Sequence, residues 1–199
     1  MSQQKPKELL TPRDHAKEQY KKCIGDPIYF MCKYVKIQHP IRGTINFELY
    51  PFQRDALLDF ITNDHNIVLK SRQMGISTLV AAYSLWLMTF HNDKNILCIS
   101  ITQETAKEIV TRVRFANDNL PLWLKVPCVE DNRLSLRLKN GSQIKAVSSS
   151  GTAGRSAALS LLIVDECLSG NTTIDIRNKK TGEIRKINIS DLFNNNEYT

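Results

Sequence analysis

The segment that most constrains this chain is an apolar run that ends in two acidic residues, after which the character of the sequence changes. Leu159–Val164 has the length and composition of a buried strand, and Asp165 and Glu166 follow it directly. From Cys167 onwards the sequence is polar and rich in Asn and Thr, and it begins with Cys-Leu-Ser-Gly-Asn-Thr-Thr. We therefore predict a domain boundary between Glu166 and Cys167, with different functions on its two sides.

The composition is that of a globular protein with one main core. The 199 residues are 42% hydrophobic and 24% charged, which excludes a disordered tail. The net charge of +7 is compatible with a nucleic-acid partner, although the Lys and Arg residues are scattered. The start of the chain lacks the apolar core of a signal peptide, and the longest apolar-rich stretch, Ser77–Phe90, is too short to span a bilayer. We expect a cytoplasmic protein that does not enter a membrane.

The cysteines point neither to a disulfide framework nor to a zinc site. There are five of them, an odd number, and no two form a Cys-x-x-Cys pair. Four are expected to be ordinary core or surface thiols. Cys167, at the predicted boundary, is the exception.

Upstream of the boundary, the sequence predicts a mixture of helices and strands. Residues 1–25 form an N-terminal segment that is helical over residues 12–23, where Thr11 precedes a proline. Gln53 lies among aromatic residues at the start of another helix. Further elements are a strand at Asn95–Ser100, a helix at Gln103–Leu120, a hairpin of Leu134–Lys139 and Ser142–Val147 about a two-residue Asn-Gly turn, and a Gly/Ser loop at Ser148–Ser156.

One strand, loop and helix have the layout of a phosphate-binding site. Asn66–Lys70 is predicted to be a buried strand, Ser71–Gly75 a loop and Ile76–His91 a helix. Backbone N–H groups at such a helix start bind phosphates. The layout therefore predicts a site for a phosphorylated ligand.

The sequence of this loop departs from the standard phosphate-loop pattern, Gly-x-x-x-x-Gly-Lys-[Ser/Thr]. Aligning Gly75 with the second glycine puts Ser77 at the magnesium-binding hydroxyl, but Ile76 stands where lysine is expected. Either this is no phosphate loop and Lys70 is an ordinary strand-end residue, or Lys70 supplies the lysine from the other end of the loop. We favour the second interpretation because an acid pair follows a buried strand, as this architecture requires.

Three segments together closely resemble the ATPase domain of the large terminase subunit of tailed bacteriophages. They are Tyr50–Asp55, Lys70–Thr78 and Leu161–Glu166, and the resemblance extends from about Asp26 to Glu166. It implies an α/β fold of the P-loop NTPase class, additional-strand catalytic-glutamate type, with a parallel-sheet core. The implied activity is ATP-driven packaging of viral DNA into a procapsid, in the cytoplasm of an infected host cell.

The resemblance also implies roles for individual residues. Gln53 would recognise adenine, while Asp165 and Ser77 would hold Mg²⁺. Glu166 would activate or orient the attacking water, and Arg72 would be an arginine finger unless it only forms a loop-stabilising salt bridge. ATP and Mg²⁺ would also contact the rest of the loop, namely Lys70, Ser71, Gln73, Met74, Gly75, Ile76 and Thr78.

The implied partners are those of a packaging motor. They are double-stranded viral DNA, the portal and procapsid, the small terminase subunit, and further copies of the chain in a ring. Arg155 is a weaker candidate for sensing the γ-phosphate or contacting DNA.

Downstream of the boundary, the sequence looks like the start of an intein. Cys167-Leu-Ser-Gly-Asn-Thr matches the first block, Cys-Leu-x-Gly-x-Thr, and alternating isoleucines predict a strand pair around Ile174–Ile176 and Ile187–Ile189, before a helical turn at Ser190–Phe193. In that family the first cysteine attacks the preceding carbonyl to form a thioester, here at the Glu166–Cys167 bond. Cys167 would be the nucleophile.

The intein in residues 167–199 would be incomplete. All four histidines precede Cys167, so the Thr-x-x-His block and the terminal His-Asn of inteins are absent from this sequence. A split intein or a truncated reading frame would explain this, and we favour the split intein. Its partner would be a polypeptide that carries the rest of the intein and of the terminase.

Three alternatives remain at this point. The chain could belong to another P-loop motor, such as a helicase, interrupted in the same way. It could be a non-catalytic remnant that binds DNA or a protein, because Ile76 abolishes nucleotide binding. Cys167 could also be an ordinary terminase residue followed by an insertion.

Overall fold

The computed structural model describes residues 11–100, 102–148, 158–165, 173–177 and 184–188. The chain divides into two compact units, Met1–Asp165 and Glu166–Thr199. The helices described in the first unit are α1 (Pro12–Gly25), α2 (Pro27–Tyr34), α3 (Pro51–Thr62), α4 (Ile76–Phe90) and α5 (Gln103–Asp118). The strands described there are β1 (Lys36–His39), β2 (Gly43–Asn46), β3 (Asn95–Ser100), β4 (Cys128–Asn132), β5 (Ser135–Leu138), β6 (Gln143–Ser148) and β7 (Leu161–Asp165).

The first unit is built on a sheet in the order β4-β5-β6-β3-β7. β3 lies parallel to both β6 and β7, whereas β4 and β5 extend the sheet antiparallel. The register pairs Ser100 of β3 with Ser148 on one side and Asp165 on the other. Because parallel strands end at the same edge, the last residues of these three strands lie together there.

Helix α4 is buried on most sides, because α2, α3 and α5 all contact it. This explains its nearly continuous apolar sequence, since a helix that is apolar all round belongs in a core. Helix α5 contacts β3 and β6 through an apolar stripe that includes Ile109, Val110 and Val113. None of the helices described combines the length and apolar character that crossing a bilayer requires.

Most of the predicted elements are present. The Thr11 hydroxyl caps α1 by accepting from the Asp14 N–H at 3.2 Å, and α3, α4, β3, α5 and β7 lie where the sequence predicts them. The hairpin of β5 and β6 is confirmed, but its predicted two-residue turn is wrong. The Leu138 N–H donates to the Ser142 carbonyl, so Lys139–Gly141 forms a three-residue connection in which Gly141 has φ +84°.

The predicted buried strand at Asn66–Lys70 is wrong. These residues have no regular secondary structure, and the side chains of Ile67 and Leu69 are 77% and 95% exposed. Both edges of β3 are already occupied by β6 and β7, and no described strand pairs with this segment. A strand needs a hydrogen-bonding neighbour, so apolar composition alone did not produce one here.

The second unit contains the predicted strand pair. β8 (Thr173–Arg177) and β9 (Ile184–Asn188) are antiparallel, with Ile174 opposite Ile187. The predicted helical turn at Ser190–Phe193 lies outside the described residues.

Candidate functional site

Residues 70–78, hereafter the 70–78 loop, comprise the irregular segment 70–75 and the first residues of α4, whose start lacks a side-chain cap. Gly75 is the N-cap of α4 and has φ +69°, a left-handed conformation that favours glycine. Gly75 has no side chain that could cap α4, and no side chain among the described residues accepts a hydrogen bond from the first turn of this helix. The first N–H groups of a helix have no partner within it, so this helix start can donate to an anion.

A lysine, a serine and an aspartate side chain meet beside this helix start. The Ser77 hydroxyl donates to Asp165 Oδ2 at 2.9 Å, although the two residues are 88 positions apart. Lys70 Nζ lies 3.4 Å from Asp165 Oδ1, with the Lys70 and Asp165 side chains 29% and 15% exposed. The structure thus joins the front of the 70–78 loop, the first turn of α4 and the end of β7.

The sheet edge around Asp165 contains a buried hydroxyl that no sequence pattern singles out. Ser100, which pairs with Asp165 in the register, is 1% exposed, and its Oγ has no hydrogen-bond partner among the described residues. An unsatisfied buried hydroxyl is costly, so this edge suits a bound water or a polar ligand. Only the parallel pairing of β3 with β7 reveals it.

Asp165 also affects the chemistry of the core behind it. Burial raises the pKa of the Cys98 thiol to about 12, and the negative charge of Asp165 adds to the effect. Cys98 therefore stays a neutral thiol at ordinary pH and takes no part in nucleophilic chemistry.

Gln53 lies at the start of α3, and both polar atoms of its carboxamide have a hydrogen-bond partner. Its Oε1 accepts from the Tyr50 N–H at 3.1 Å, and its Nε2 donates to the Met74 carbonyl at 3.0 Å. The residue is only 2% exposed. Recognition of adenine by Gln53, as the sequence predicts, would require the side chain to leave both of these partners.

The other predicted site residues are placed as follows. Arg72 is exposed on the 70–78 loop and forms no salt bridge within the part of the chain that the structure describes. Glu166, Cys167 and Arg155 lie outside the described residues.

The described residues could hold a hard cation, although they do not form a cluster of acidic or imidazole ligands. No three His, Cys, Asp or Glu side chains in the described ranges are grouped as a metal site. Ser77 and Asp165 nevertheless offer a hydroxyl and a carboxylate that are 2.9 Å apart. Mg²⁺ takes oxygen ligands and commonly uses only one or two from the protein together with substrate phosphates, so this donor set fits it.

The fold and the site together define a mixed α/β protein whose parallel strands end beside an uncapped helix start, and comparison with known proteins identifies its family. Residues 67–173 match the family described as terminase large subunit, T4likevirus-type, N-terminal. This range is more than half of the 199 residues, so the chain belongs to that family.

A solved structure supports the fold. The chain is similar to the crystal structure of the HK97 bacteriophage large terminase, with a TM-score of 0.57 and 20% sequence identity. The similarity covers 71% of this chain but only 30% of the HK97 protein. The chain thus corresponds to less than a third of that terminase.

Proposed function

We propose that this chain is the N-terminal portion of a viral DNA-packaging ATPase, with its nucleotide site at the 70–78 loop. The observation that carries the proposal is the meeting of Lys70, Ser77 and Asp165 at an uncapped helix start. A nucleoside triphosphate with Mg²⁺ requires a positive side chain, helix N–H groups that can donate to phosphate, and a pair of oxygens that bind the cation. Family membership favours a terminase over a helicase-like motor.

In this proposal Lys70 and the backbone of the 70–78 loop bind the phosphates, while Ser77 and Asp165 hold Mg²⁺. When bound, Mg²⁺ neutralises charge on the phosphate oxygens. Lys70 now neutralises Asp165, so nucleotide binding would draw its ammonium group away from that carboxylate. The lysine thus need not follow the second glycine of the loop, because its side chain reaches the site from the front.

Two further residues complete the proposed chemistry. Glu166 would orient or deprotonate the attacking water, since it directly follows Asp165 in the sequence. Arg72 would stabilise charge on the transferred phosphoryl group, and its exposed position is compatible with action on its own site or on a neighbouring subunit. Viral DNA, the portal and procapsid, the small terminase subunit and a ring of copies remain proposed partners.

The nucleotide site can be tested by binding of the fluorescent analogue MANT-ATP to the full chain with and without Mg²⁺. Asp165→Asn should weaken Mg²⁺-dependent binding by roughly tenfold or more, because a charged ligand is lost. Glu104→Gln is the matched control, since Glu104 also pairs with a lysine, at 3.1 Å, but on the surface of α5. A parent chain that binds no MANT-ATP would instead support a non-catalytic remnant.

We further propose that residues 167–199 are the N-terminal fragment of a split intein, which joins Glu166 to the rest of the terminase by trans-splicing. The Cys-Leu-x-Gly-x-Thr block and the antiparallel pair of β8 and β9 support this. The attacking group would be the Cys167 thiolate, and the bond broken the Glu166–Cys167 amide.

Intact-mass spectrometry with and without a strong thiol tests the junction. Thiol-dependent release of residues 1–166 as a thioester, absent from Cys167→Ala, is the expected result. If release also fails after a complementary C-terminal intein fragment is added, Cys167 is an ordinary residue.

A further inference from the structure

We propose that Gln53 is a positioning residue, which fixes the Met74–Gly75 peptide of the 70–78 loop and so supports binding of any nucleoside triphosphate, whatever its base. The proposal rests on the nucleotide site proposed above and concerns how that site is held in shape. It gives Gln53 a role different from the adenine recognition that the sequence predicts.

Both polar atoms of the Gln53 carboxamide already have protein partners. Gln53 Oε1 accepts from the Tyr50 N–H, as the third residue of a capping box does, and so stabilises the start of α3. Its Nε2 donates to the Met74 carbonyl at 3.0 Å. Since the residue is almost fully buried, a nucleotide base cannot reach these atoms unless the Gln53 side chain or its surroundings move.

The contact between Gln53 and Met74 also orients the loop backbone. A trans peptide is planar, so its carbonyl and its N–H point in opposite directions. Holding the Met74 carbonyl against Gln53 therefore turns the Gly75 N–H away from α3. The orientation of one loop N–H donor is thus set by a side chain 21 positions earlier in the sequence.

Gln53 also lies very close to Gly75. A Cβ atom added to Gly75 would lie 2.7 Å from Gln53 Nε2, closer than real Cβ atoms come to their neighbours. Gly75 also has φ +69°. Glycine at this position therefore meets two requirements, the left-handed backbone and the space for the Gln53 amide.

The test measures binding of MANT-ATP and MANT-GTP to the full chain with Mg²⁺, together with hydrogen exchange of residues 71–76 without nucleotide. Gln53→Met keeps the length of the side chain but removes both hydrogen bonds. We expect it to weaken binding of both nucleotides by the same factor, roughly threefold to tenfold, and to speed exchange in the loop. Gln38→Met is the matched control, because Gln38 is exposed on β1.

A second variant separates the loop contact from the capping of α3. Gln53→Glu keeps an acceptor for the Tyr50 N–H but sets an oxygen against the Met74 carbonyl. Loop exchange should again be faster, while the helix content measured by circular dichroism stays that of the parent. Unchanged loop exchange in both variants would overturn the proposal.

The outcomes separate this inference from the proposed function. Loss of MANT-ATP affinity without loss of MANT-GTP affinity, and with unchanged exchange, would make Gln53 a reader of adenine. If the parent binds neither nucleotide, the proposed function fails. In that case faster loop exchange in the two Gln53 variants would still support the positioning role, and unchanged exchange would refute it.

Discussion

Two segments of similar apolar sequence adopt different structures in this protein. Asn66-Ile-Val-Leu-Lys and Asn95-Ile-Leu-Cys-Ile-Ser both begin with Asn-Ile and continue with apolar residues. The second is β3, the strand at the centre of the parallel part of the sheet, whereas the first is irregular and exposed. An apolar run therefore becomes a strand only where neighbouring strands pair with its backbone N–H and C=O groups.

The segments still share one property, because each leads to the candidate site. β3 brings Ser100 to the sheet edge beside Asp165, and the irregular segment ends at Lys70, which pairs with the same carboxylate. The position of the functional side chain therefore does not depend on regular secondary structure in the residues before it. The following predictions test how far this comparison holds.

The largest expected effect concerns stability. Ile96→Ala in β3 should lower the free energy of unfolding by roughly 2–5 kcal/mol, because Ile96 is fully buried and its removal leaves a cavity. Ile67→Ala, at the equivalent place in the exposed segment, should change it by no more than about 0.5 kcal/mol. Urea unfolding of both variants measures the difference. Equal losses would mean that residues 66–70 are packed in solution.

A smaller effect is expected at the end of the exposed segment. Lys70→Ala should weaken binding of MANT-ATP by roughly tenfold, because a charge-assisted contact to phosphate is lost. Lys145→Ala, which removes an exposed lysine of β6, should leave affinity unchanged. If the two variants bind equally well, the position of Lys70 beside Asp165 has no role in nucleotide binding.

The smallest expected effect is the pH dependence of stability that comes from Cys98, a buried residue of β3. The folded pKa of Cys98 is raised from 9.0 to about 12, mainly by burial, so the thiol stabilises the fold fully below pH 9 and this contribution is lost as pH rises towards 12. Between pH 8 and pH 10 the loss should be on the order of 1 kcal/mol.

The control for this prediction is Cys98→Ser, which has no thiol to ionise. Its free energy of unfolding should fall less steeply than that of the parent over the same pH range. Parallel curves for the two proteins would show that the Cys98 thiol is not buried in solution.

Much of the candidate site could be predicted from the sequence because its signals are local. Gly75 before an apolar helix indicated the loop and the start of α4, and the apolar run before Asp165 indicated β7. The hairpin of β5 and β6 followed from alternation about Asn140-Gly141, although its three-residue connection depends on a hydrogen bond between Leu138 and Ser142.

The type and order of most elements follow from the amino-acid sequence, since helix starts, turns and apolar periodicity are properties of neighbouring residues. The tertiary structure, by contrast, sets strand pairing and side-chain packing, and three features of the site depend on it. It left residues 66–70 outside the sheet, it placed Ser100 beside Asp165, and it engaged Gln53 with the Met74 carbonyl. These contacts join residues far apart in the chain, so no local pattern encodes them.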